Sequence, residues 1–439
     1  MSSVKLDGNT LTSTELSLVA AGEKVEVASD AWIRVDAARR VVDNILASGE
    51  TVYGINTGFG ALVSESISPE DLATLQVNLI RSHACGIGES MSIPDTRAMM
   101  CVRVNSLVKG HSGIQRSVIQ QIITYLNEDI IPVVPRIGSL GASGDLAPLS
   151  HMALALIGEG EVWTADGPAP TSKVLTENGL IGVELSAKDG LSLINGTSQM
   201  CSFLSKSENL LSNLLPLADL IACASIEARE CSIQPMDPRV HQARPHHGQS
   251  LVAERITSIM HNSEILASHA DCDKVQDAYS FRCIPQVHGP VLENYRKLCS
   301  TLDIEINSAT DNPLIFPDPK NPGPNEVISQ GNFHGEVLAI SADNMAHSLF
   351  ELAHISERRI DQMVDPTRSN LPPFLAKNSG LESGMMIVHY VAAAALAEMH
   401  AGAMPRSAFS TPTSAGQEDH VSMGSTAALN LVNSCKLLS

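Results

Sequence analysis

The stretch GEVLAISADNMAHSLFELAHISERRIDQM, residues 335–363, contains no proline and no internal glycine, and its apolar residues recur at helical spacing. Similar periodic runs cover about residues 198–229 and 381–403. Runs of this length exceed the usual globular helix, so they indicate a bundle of long helices. We therefore predict a mainly α-helical chain whose core is a long-helix bundle.

The N-terminal part of the chain has a more mixed pattern. Residues 161–164 and 173–175, on either side of a Gly/Pro-rich turn, have the character of a small β-hairpin. Because no long linker or charge block interrupts the chain, only a coarse division follows. It separates a smaller mixed part, residues 1–195, from a helical bundle, residues 196–439.

Composition excludes several classes of function. The chain has 439 residues and a formal net charge of −19, and such an acidic protein repels phosphate backbones, so we expect no nucleic acid partner. Its nine cysteines include no C-x-x-C pair, which fits reduced thiols in the cytosol. The histidines show no clear metal-ligand spacing, so we predict no metal and no nucleotide cofactor.

The most apolar long stretch, residues 210–226, is interrupted by Asn213, Pro216 and Asp219. We interpret it as a buried helix and not as a membrane span. The N-terminus lacks the apolar core of a signal peptide. These features predict a cytoplasmic protein with no membrane partner.

The segment GSLGASGDLAPLSH, residues 138–151, is the most informative about chemistry. Ser143 or Asp145 could simply cap the apolar helix that follows, and a phosphate loop is disfavoured because no Lys-Ser/Thr follows the glycines. The chemical alternative is cyclisation. In a compressed loop the Gly144 amide nitrogen can attack the Ala142 carbonyl, because glycine has no side chain to obstruct the approach. Loss of water from the ring and from Ser143 then leaves an electrophilic imidazolone with an exocyclic methylene.

This segment resembles the prosthetic-group motif of the histidine/phenylalanine ammonia-lyase family, whose members form 4-methylideneimidazol-5-one (MIO) from Ala-Ser-Gly. Other segments agree with the family in type and order, and they are YGINTGFG (53–60), NGT (195–197), QDAYSFR (276–282), NSATDNP (307–313), GNFHG (331–335) and QEDH (417–420). The resemblance implies an ammonia-lyase/fumarase-like helical architecture and MIO formed from Ala142-Ser143-Gly144. It also implies elimination of ammonia from an amino acid by a homotetramer whose subunits share active sites.

The resemblance also implies roles for individual residues. Tyr53 would be the base that removes the β-proton, and it needs a positive field to do so near neutral pH, since its reference pKa is about 10. Arg282 would hold the substrate carboxylate with its planar fork. Tyr279 would lie near the prosthetic group. Polar and ring contacts to that group and the substrate would come from Asn195, Gln276 and Phe333, although Phe333 could equally be an ordinary core aromatic.

Two positions bear on the substrate. His83 stands where the family sets ring preference, and it suits a polar ring, either imidazole or phenol. Glu418 favours imidazole, because a carboxylate facing a benzene ring would be left unpaired at a considerable cost. We therefore predict deamination of L-histidine to trans-urocanate. The alternatives are a tyrosine or phenylalanine ammonia-lyase, an aminomutase, and a homologue that has lost activity.

Family members usually continue for several helices beyond the point at which this chain ends, Ser439. Helices missing from the bundle would leave apolar surface exposed. We expect lower stability or altered assembly than in a longer relative.

Overall fold

The structure is a computed structural model that describes residues 3–57, 67–271, 274–318, 320 and 326–439. Helices dominate these residues, which confirms the prediction of a mainly α-helical chain. The α-helices are α1 (Ser13–Ala20), α2 (Ser29–Ser48), α3 (Leu72–His83), α4 (Ile93–Val108), α5 (Arg116–Asn127), α6 (Leu146–Leu156), α7 (Thr171–Glu177), α8 (Asp189–Ile194), α9 (Ser198–Ala228), α10 (Pro238–Ala243), α11 (His247–Ile259), α12 (Glu264–Ser268), α13 (Tyr279–Arg282), α14 (Ile284–Glu305), α15 (Glu336–Val364), α16 (Pro366–Ser369), α17 (Met386–Gly402) and α18 (Gly424–Leu438).

Short strands pair two by two in the described parts of the chain. The strands are β1 (Ser3–Leu6), β2 (Lys24–Val27), β3 (Ile87–Ser90), β4 (Pro135–Ile137), β5 (Glu161–Thr164), β6 (Gly167–Pro170), β7 (Leu314–Ile315) and β8 (Val327–Ile328). β1 and β2 are parallel, and the other pairs are antiparallel. Most of the strands lie in the N-terminal part, as its mixed pattern predicts.

The long helices agree closely with the periodic runs. α9 has 31 residues and α15 has 29, and their bounds lie within one residue of the predicted runs. The third run starts later than predicted, because turns occupy the residues before Met386. The sequence pattern did not predict α14, which has 22 residues and contains Pro290. Proline normally ends or kinks a helix, so its presence hid this one.

The predicted hairpin has a different second strand. β5 is where we expected it, but its partner is β6, the Gly/Pro-rich segment itself, and residues 173–175 lie in α7. Proline lacks an N–H to donate, yet a two-stranded sheet leaves positions that face no partner strand. The Gly/Pro-rich segment therefore forms a strand, where the sequence predicted a turn.

The interpretation of residues 210–226 as a buried helix is wrong in part. They belong to α9, but Leu217, Leu220 and Ile221 are 46–51% exposed within the chain. Within the described residues, α9 is also the helix whose length and composition would allow it to cross a membrane, and 39% of its most apolar window is buried. Apolar core helices of globular proteins pass the same test.

Contacts group the chain into two compact units, each built from separate segments. The first comprises Met1–Lys206, Ser300–Ile340 and Arg406–Leu429, and the second comprises Ser207–Cys299, Ser341–Pro405 and Asn430–Ser439. The predicted division into residues 1–195 and 196–439 stays a prediction.

The first unit is organised around α4, whose residues from Asp95 to Val108 are all buried. α4 packs against α1, α2 and α5. A helix buried on all sides must satisfy its polar groups internally. Arg97 does so by donating to the carbonyl oxygens of Val19 (2.8 Å) and Leu126 (3.0 Å). This arginine therefore stabilises the core instead of interrupting it.

Three helices of the first unit, α3, α6 and α8, pack against one another. A predicted site residue lies at or near one end of each of these helices. His83 is the last residue of α3, Ser143 precedes α6, and Asn195 follows α8. This mutual packing places the ends of sequence-distant motifs together.

A buried ion pair joins the start of α8 to the motif 307–313 in the first unit. Lys188, just before α8, donates from Nζ to Asp311 Oδ2 at 2.6 Å, and both side chains are 0% exposed. Burial lowers the pKa of Lys188, and the negative charge of Asp311 opposes that change. The pair neutralises two charges that would each be costly alone in this interior.

The second unit has its own apolar core, formed by residues of α9, α11, α13 and α14. Ala222 and Ile226 of α9 pack with Val252 and Ile256 of α11, and Ile284 of α14 completes the cluster. The motif 276–282 lies beside this core, because Phe281 is buried in it.

We expect Lys188→Met to lower the free energy of unfolding by about 3–5 kcal/mol, because it leaves the Asp311 carboxylate buried without a cation. Chemical denaturation followed by circular dichroism measures the loss. Lys173→Met is the matched control, because Lys173 and Glu177 are 66% and 58% exposed and 3.9 Å apart. That control should change stability by less than about 0.5 kcal/mol. Equal effects of the two substitutions would contradict the argument.

Candidate active site

The first unit contains a cavity of ≈ 890 Å³ that collects most of the predicted site residues. Its lining includes seven of them, which are Tyr53, His83, Ala142, Ser143, Asn195, Phe333 and Glu418. Gly144, directly after Ser143, is buried beside it. Residues separated by more than 300 positions in the chain therefore share one cavity.

The loop before α6 is held by a close approach of two backbone segments. Gly144 and Gly196 form an isolated β-bridge between two segments of the chain, and the Asp145 amide donates to the Gly196 oxygen at 2.7 Å. Gly144 has a φ of 79°, and a Cβ there would overlap the Gly196 backbone. Only glycine fits this position without moving the neighbouring strand of backbone.

Asp145 is the residue that fixes this loop to the rest of the unit. It precedes α6 but does not cap it; its Oδ2 instead accepts from the amides of Gln199 (2.8 Å) and Met200 (3.1 Å) at the start of α9. Its Oδ1 accepts from the Ser139 hydroxyl at 2.7 Å. Burial raises the pKa of Asp145 to about 6, and these hydrogen bonds oppose the rise. Asp145 therefore caps α9, and not the helix α6 that directly follows it.

Ser143 faces the cavity and contacts Glu418. The Ser143 hydroxyl donates to Glu418 Oε1 at 3.2 Å, and the Thr413 hydroxyl donates to Oε2 at 2.8 Å. Backbone hydrogen bonds between Thr413 and Glu418 hold the loop that carries the carboxylate. The Glu418 carboxylate therefore belongs to the cavity that contains Ser143.

Tyr53 lies in a turn that is anchored by its neighbours. Ile55 is buried in a cluster with residues of α2, and Asn56 accepts from the Val52 amide and donates to the Glu50 oxygen. Residues 58–60 of the same motif lie outside the described residues. Burial and the negative charges of Glu418 and Asp311 raise the pKa of Tyr53. The field within this unit therefore opposes the ionisation that a tyrosine base requires.

His83 and Asn195 each have one polar atom that is held by a hydrogen bond and one that is left for a ligand. His83 Nδ1 lies 2.8 Å from the Leu79 carbonyl oxygen, which requires a proton on Nδ1 and leaves Nε2 as the acceptor of the neutral ring. Asn195 Nδ2 donates to the Asn312 oxygen at 3.1 Å. Asn195 Oδ1 is buried without a hydrogen-bond partner among the described residues. An unpaired buried acceptor is costly, so it favours a ligand that brings a donor.

Some residues of the cavity were not predicted from sequence. They are Asn312, Gln330, Ser414, Ala415 and His420, with His334 beside Phe333. Most of these residues belong to or adjoin the motifs quoted above. The spacing of residues along the chain does not indicate that they line the cavity. Ser414 and Ala415 have positive φ values of 52° and 55°, an uncommon backbone for such residues.

The structure places Gln276, Tyr279 and Arg282 in the second unit, and the first unit's cavity lining includes none of them. Gln276 and Arg282 line a separate cavity of ≈ 580 Å³. The Arg282 guanidinium lies 4.5 Å from the centre of the Tyr279 ring, and that ring is 70% exposed. Arg282 Nε is buried without a hydrogen-bond partner in the described part of the chain.

The residues at 142–144 fit the prosthetic group that the resemblance implies. Ala142 is small and buried, and Ser143 faces the cavity. Gly144 has a positive φ and no side chain that would obstruct ring closure. The unpaired Oδ1 of Asn195 adds a polar group without a partner in the same cavity. These features are compatible with a prosthetic group formed from residues 142–144.

Comparison with known proteins agrees with this geometry. The family model described as aromatic amino acid lyase matches residues 11–439. A histidine ammonia-lyase of Myxococcus xanthus is 46% identical over 427 residues, which cover 97% of this chain and 83% of the relative. The match thus includes both units and every motif quoted above.

Solved structures give the same result. A histidine ammonia-lyase from Trypanosoma cruzi superposes with a TM-score of 0.90 at 41% identity, covering 100% of this chain and 82% of that one. A tyrosine aminomutase from Streptomyces globisporus superposes with a TM-score of 0.92 at 34% identity, covering 100% and 85%. With its loop, its cavity and its whole length in agreement, the chain belongs to the aromatic amino acid lyase family.

Proposed function

We propose that the chain deaminates L-histidine without oxidation, giving trans-urocanate and ammonia. The observation that carries this proposal is the position of the Glu418 carboxylate, 3.2 Å from the Ser143 oxygen, in a cavity that also contains His83. A carboxylate at this position can pair with the imidazole of the substrate, whereas the benzene ring of phenylalanine offers it no partner. Relatives named histidine ammonia-lyase are 44–46% identical to the chain.

The proposal includes a prosthetic group made by the chain itself. A bond forms between the Gly144 nitrogen and the Ala142 carbonyl carbon, and two waters leave, one from the ring and one from Ser143. The resulting MIO supplies the electrophile that makes the substrate amine a better leaving group. Asn195 Oδ1, which has no partner in the described residues, is available to accept a hydrogen bond from the amine of the substrate.

Tyr53 is proposed to remove the β-proton of the substrate, and His83 and Phe333 to orient its ring. The raised pKa of Tyr53 means that this unit alone does not prepare the phenol for proton removal. A cation has to offset Glu418 and Asp311. Arg282 carries a suitable charge, and its place beside Tyr279 in the second unit suits binding of a carboxylate.

We further propose that the chain works as a homotetramer in the cytoplasm, with active sites completed by a neighbouring subunit. α17 exposes a row of large apolar side chains, including Ile387, Val388, Tyr390 and Val391. Apolar surface of this extent is unfavourable in water and is usually covered on assembly. A neighbouring subunit would then supply Gln276, Tyr279 and Arg282 to each cavity.

The intact mass of the purified chain should be lower than its sequence mass by two waters. Ser143→Ala should remove this deficit and lower deamination of L-histidine by more than about 10³-fold, because the electrophile no longer forms. The near-ultraviolet absorbance of urocanate measures the activity. Ser172→Ala, on the exposed face of α7, should keep both properties. A full-mass wild-type chain would indicate an inactive homologue.

We expect Glu418→Gln to lower kcat/KM for L-histidine roughly 10- to 100-fold, the cost of losing a hydrogen bond to a charged group. The exposed Glu177→Gln provides a matched charge change that should have no effect. Rates with L-histidine, L-tyrosine and L-phenylalanine, together with product analysis for β-amino acids, complete the measurement. Unchanged activity in Glu418→Gln would favour a tyrosine or phenylalanine enzyme or an aminomutase.

Mixed oligomers test whether sites are shared. Ser143→Ala and Arg282→Met are each expected to be inactive, but their co-expression should restore a measurable fraction of activity, because an intact first unit can meet an intact second unit. Co-expressed Ser143→Ala and Tyr53→Phe carry both lesions in the first unit and should show no recovery. Equal behaviour of the two mixtures would contradict shared active sites.

A further inference from the structure

Three potential metal ligands converge at the cavity of the first unit, although no sequence spacing had suggested a metal. His334 precedes α15, Glu336 is the first residue of that helix, and His420 lies far along the chain. One nitrogen of each histidine and one carboxylate oxygen all lie within 4.8 Å of one another. Both histidines line the cavity. We propose that these side chains form a binding site for a divalent cation of the Zn²⁺ class.

The separation of the two imidazoles suits a shared metal ion. His420 Nδ1 lies 3.5 Å from His334 Nε2, and the rings are stacked with their centres 5.5 Å apart. Two nitrogens bound tetrahedrally to zinc, each at about 2.0–2.1 Å, are roughly 3.3 Å from one another. The observed distance therefore needs only a small closure of the two rings.

Glu336 supplies the charge that such a site requires. Its Oε2 is buried and has no hydrogen-bond partner in the part of the chain that the structure describes. A buried carboxylate oxygen without a partner is unfavourable, and a cation between it and the imidazoles removes this cost. Two imidazoles and one carboxylate select zinc-like ions over Mg²⁺, which prefers oxygen ligands.

The main competing interaction is weak. In the structure His334 Nε2 also lies 3.3 Å from the His420 carbonyl oxygen, where it donates a proton. This distance is longer than usual for a hydrogen bond of N–H to oxygen. Metal binding moves that proton to Nδ1 and frees the Nε2 lone pair, a tautomer change that imidazole makes readily.

The arrangement leaves the ion with an open position. Three protein ligands are the number found at zinc sites that exchange their fourth ligand, whereas structural sites use four. Because His334 and His420 line the cavity, the fourth ligand would be water or a small molecule in that cavity. An ion here adds positive charge to a cavity whose described acids include Glu418 and Asp419.

Zinc binding to the EDTA-treated full-length protein, followed by competition with a chromophoric chelator, tests the site. We expect one Zn²⁺ per chain, and an affinity reduced roughly 100-fold in His420→Ala and in Glu336→Gln. His246→Ala removes an exposed histidine elsewhere and should leave the affinity unchanged. Circular dichroism verifies that each variant is folded, and the nearly isosteric Glu336→Gln decides the question if His420→Ala is not.

Cobalt substitution distinguishes this site from adventitious binding at cysteine, of which Cys85 is exposed. A nitrogen and oxygen ligand set gives visible cobalt bands without thiolate charge transfer. Thiolate bands, the absence of stoichiometric binding, or wild-type affinity in both ligand variants would overturn the proposal. None of these measurements depends on whether the chain deaminates histidine.

Discussion

The close approach of the backbone at Gly144 and Gly196 is the constraint on which the candidate site depends. It brings the reactive loop against the loop that carries Asn195, and a side chain at Gly144 would force the two apart. Asp145 extends the same contact by accepting from the first amides of α9, so one carboxylate ties the loop to the longest helix. Ser143 is thus positioned by backbone packing at Gly144 together with the buried carboxylate of Asp145.

Electrostatics separate what the first unit does alone from what it leaves to other parts of the protein. Its cavity contains acids and neutral polar groups, which suit a substrate amine and an imidazole. Burial and the negative charges of Glu418 and Asp311 raise the pKa of Tyr53, and acids offer nothing to a substrate carboxylate. Arg282, which the resemblance implies as the carboxylate clamp, belongs to the second unit. This division of charge is the reason for proposing active sites that a neighbouring subunit completes.

The sequence was most informative where local physics decides the outcome. Long periodic runs of apolar residues predicted α9 and α15, since an amphipathic repeat of that length has few alternatives to a helix. The sequence was misleading at proline and glycine residues, which tertiary packing accommodates inside a helix or a strand. Pro290 lies inside α14, and the Gly/Pro-rich segment after β5 forms a strand instead of a turn. The motifs named candidate site residues, and seven of them line one cavity.

By itself, the sequence determined that the chain is helical, acidic and equipped with an Ala-Ser-Gly loop, because composition, periodicity and short motifs are local properties. Only the tertiary structure decided which helix Asp145 caps, that Glu418 contacts Ser143, and that Tyr53 lies in a negative field. It alone also brought His334, Glu336 and His420 together. The physical reason is that pKa values, caps and ligand sets depend on distances through space, and the order of residues along the chain carries no mark of such proximity.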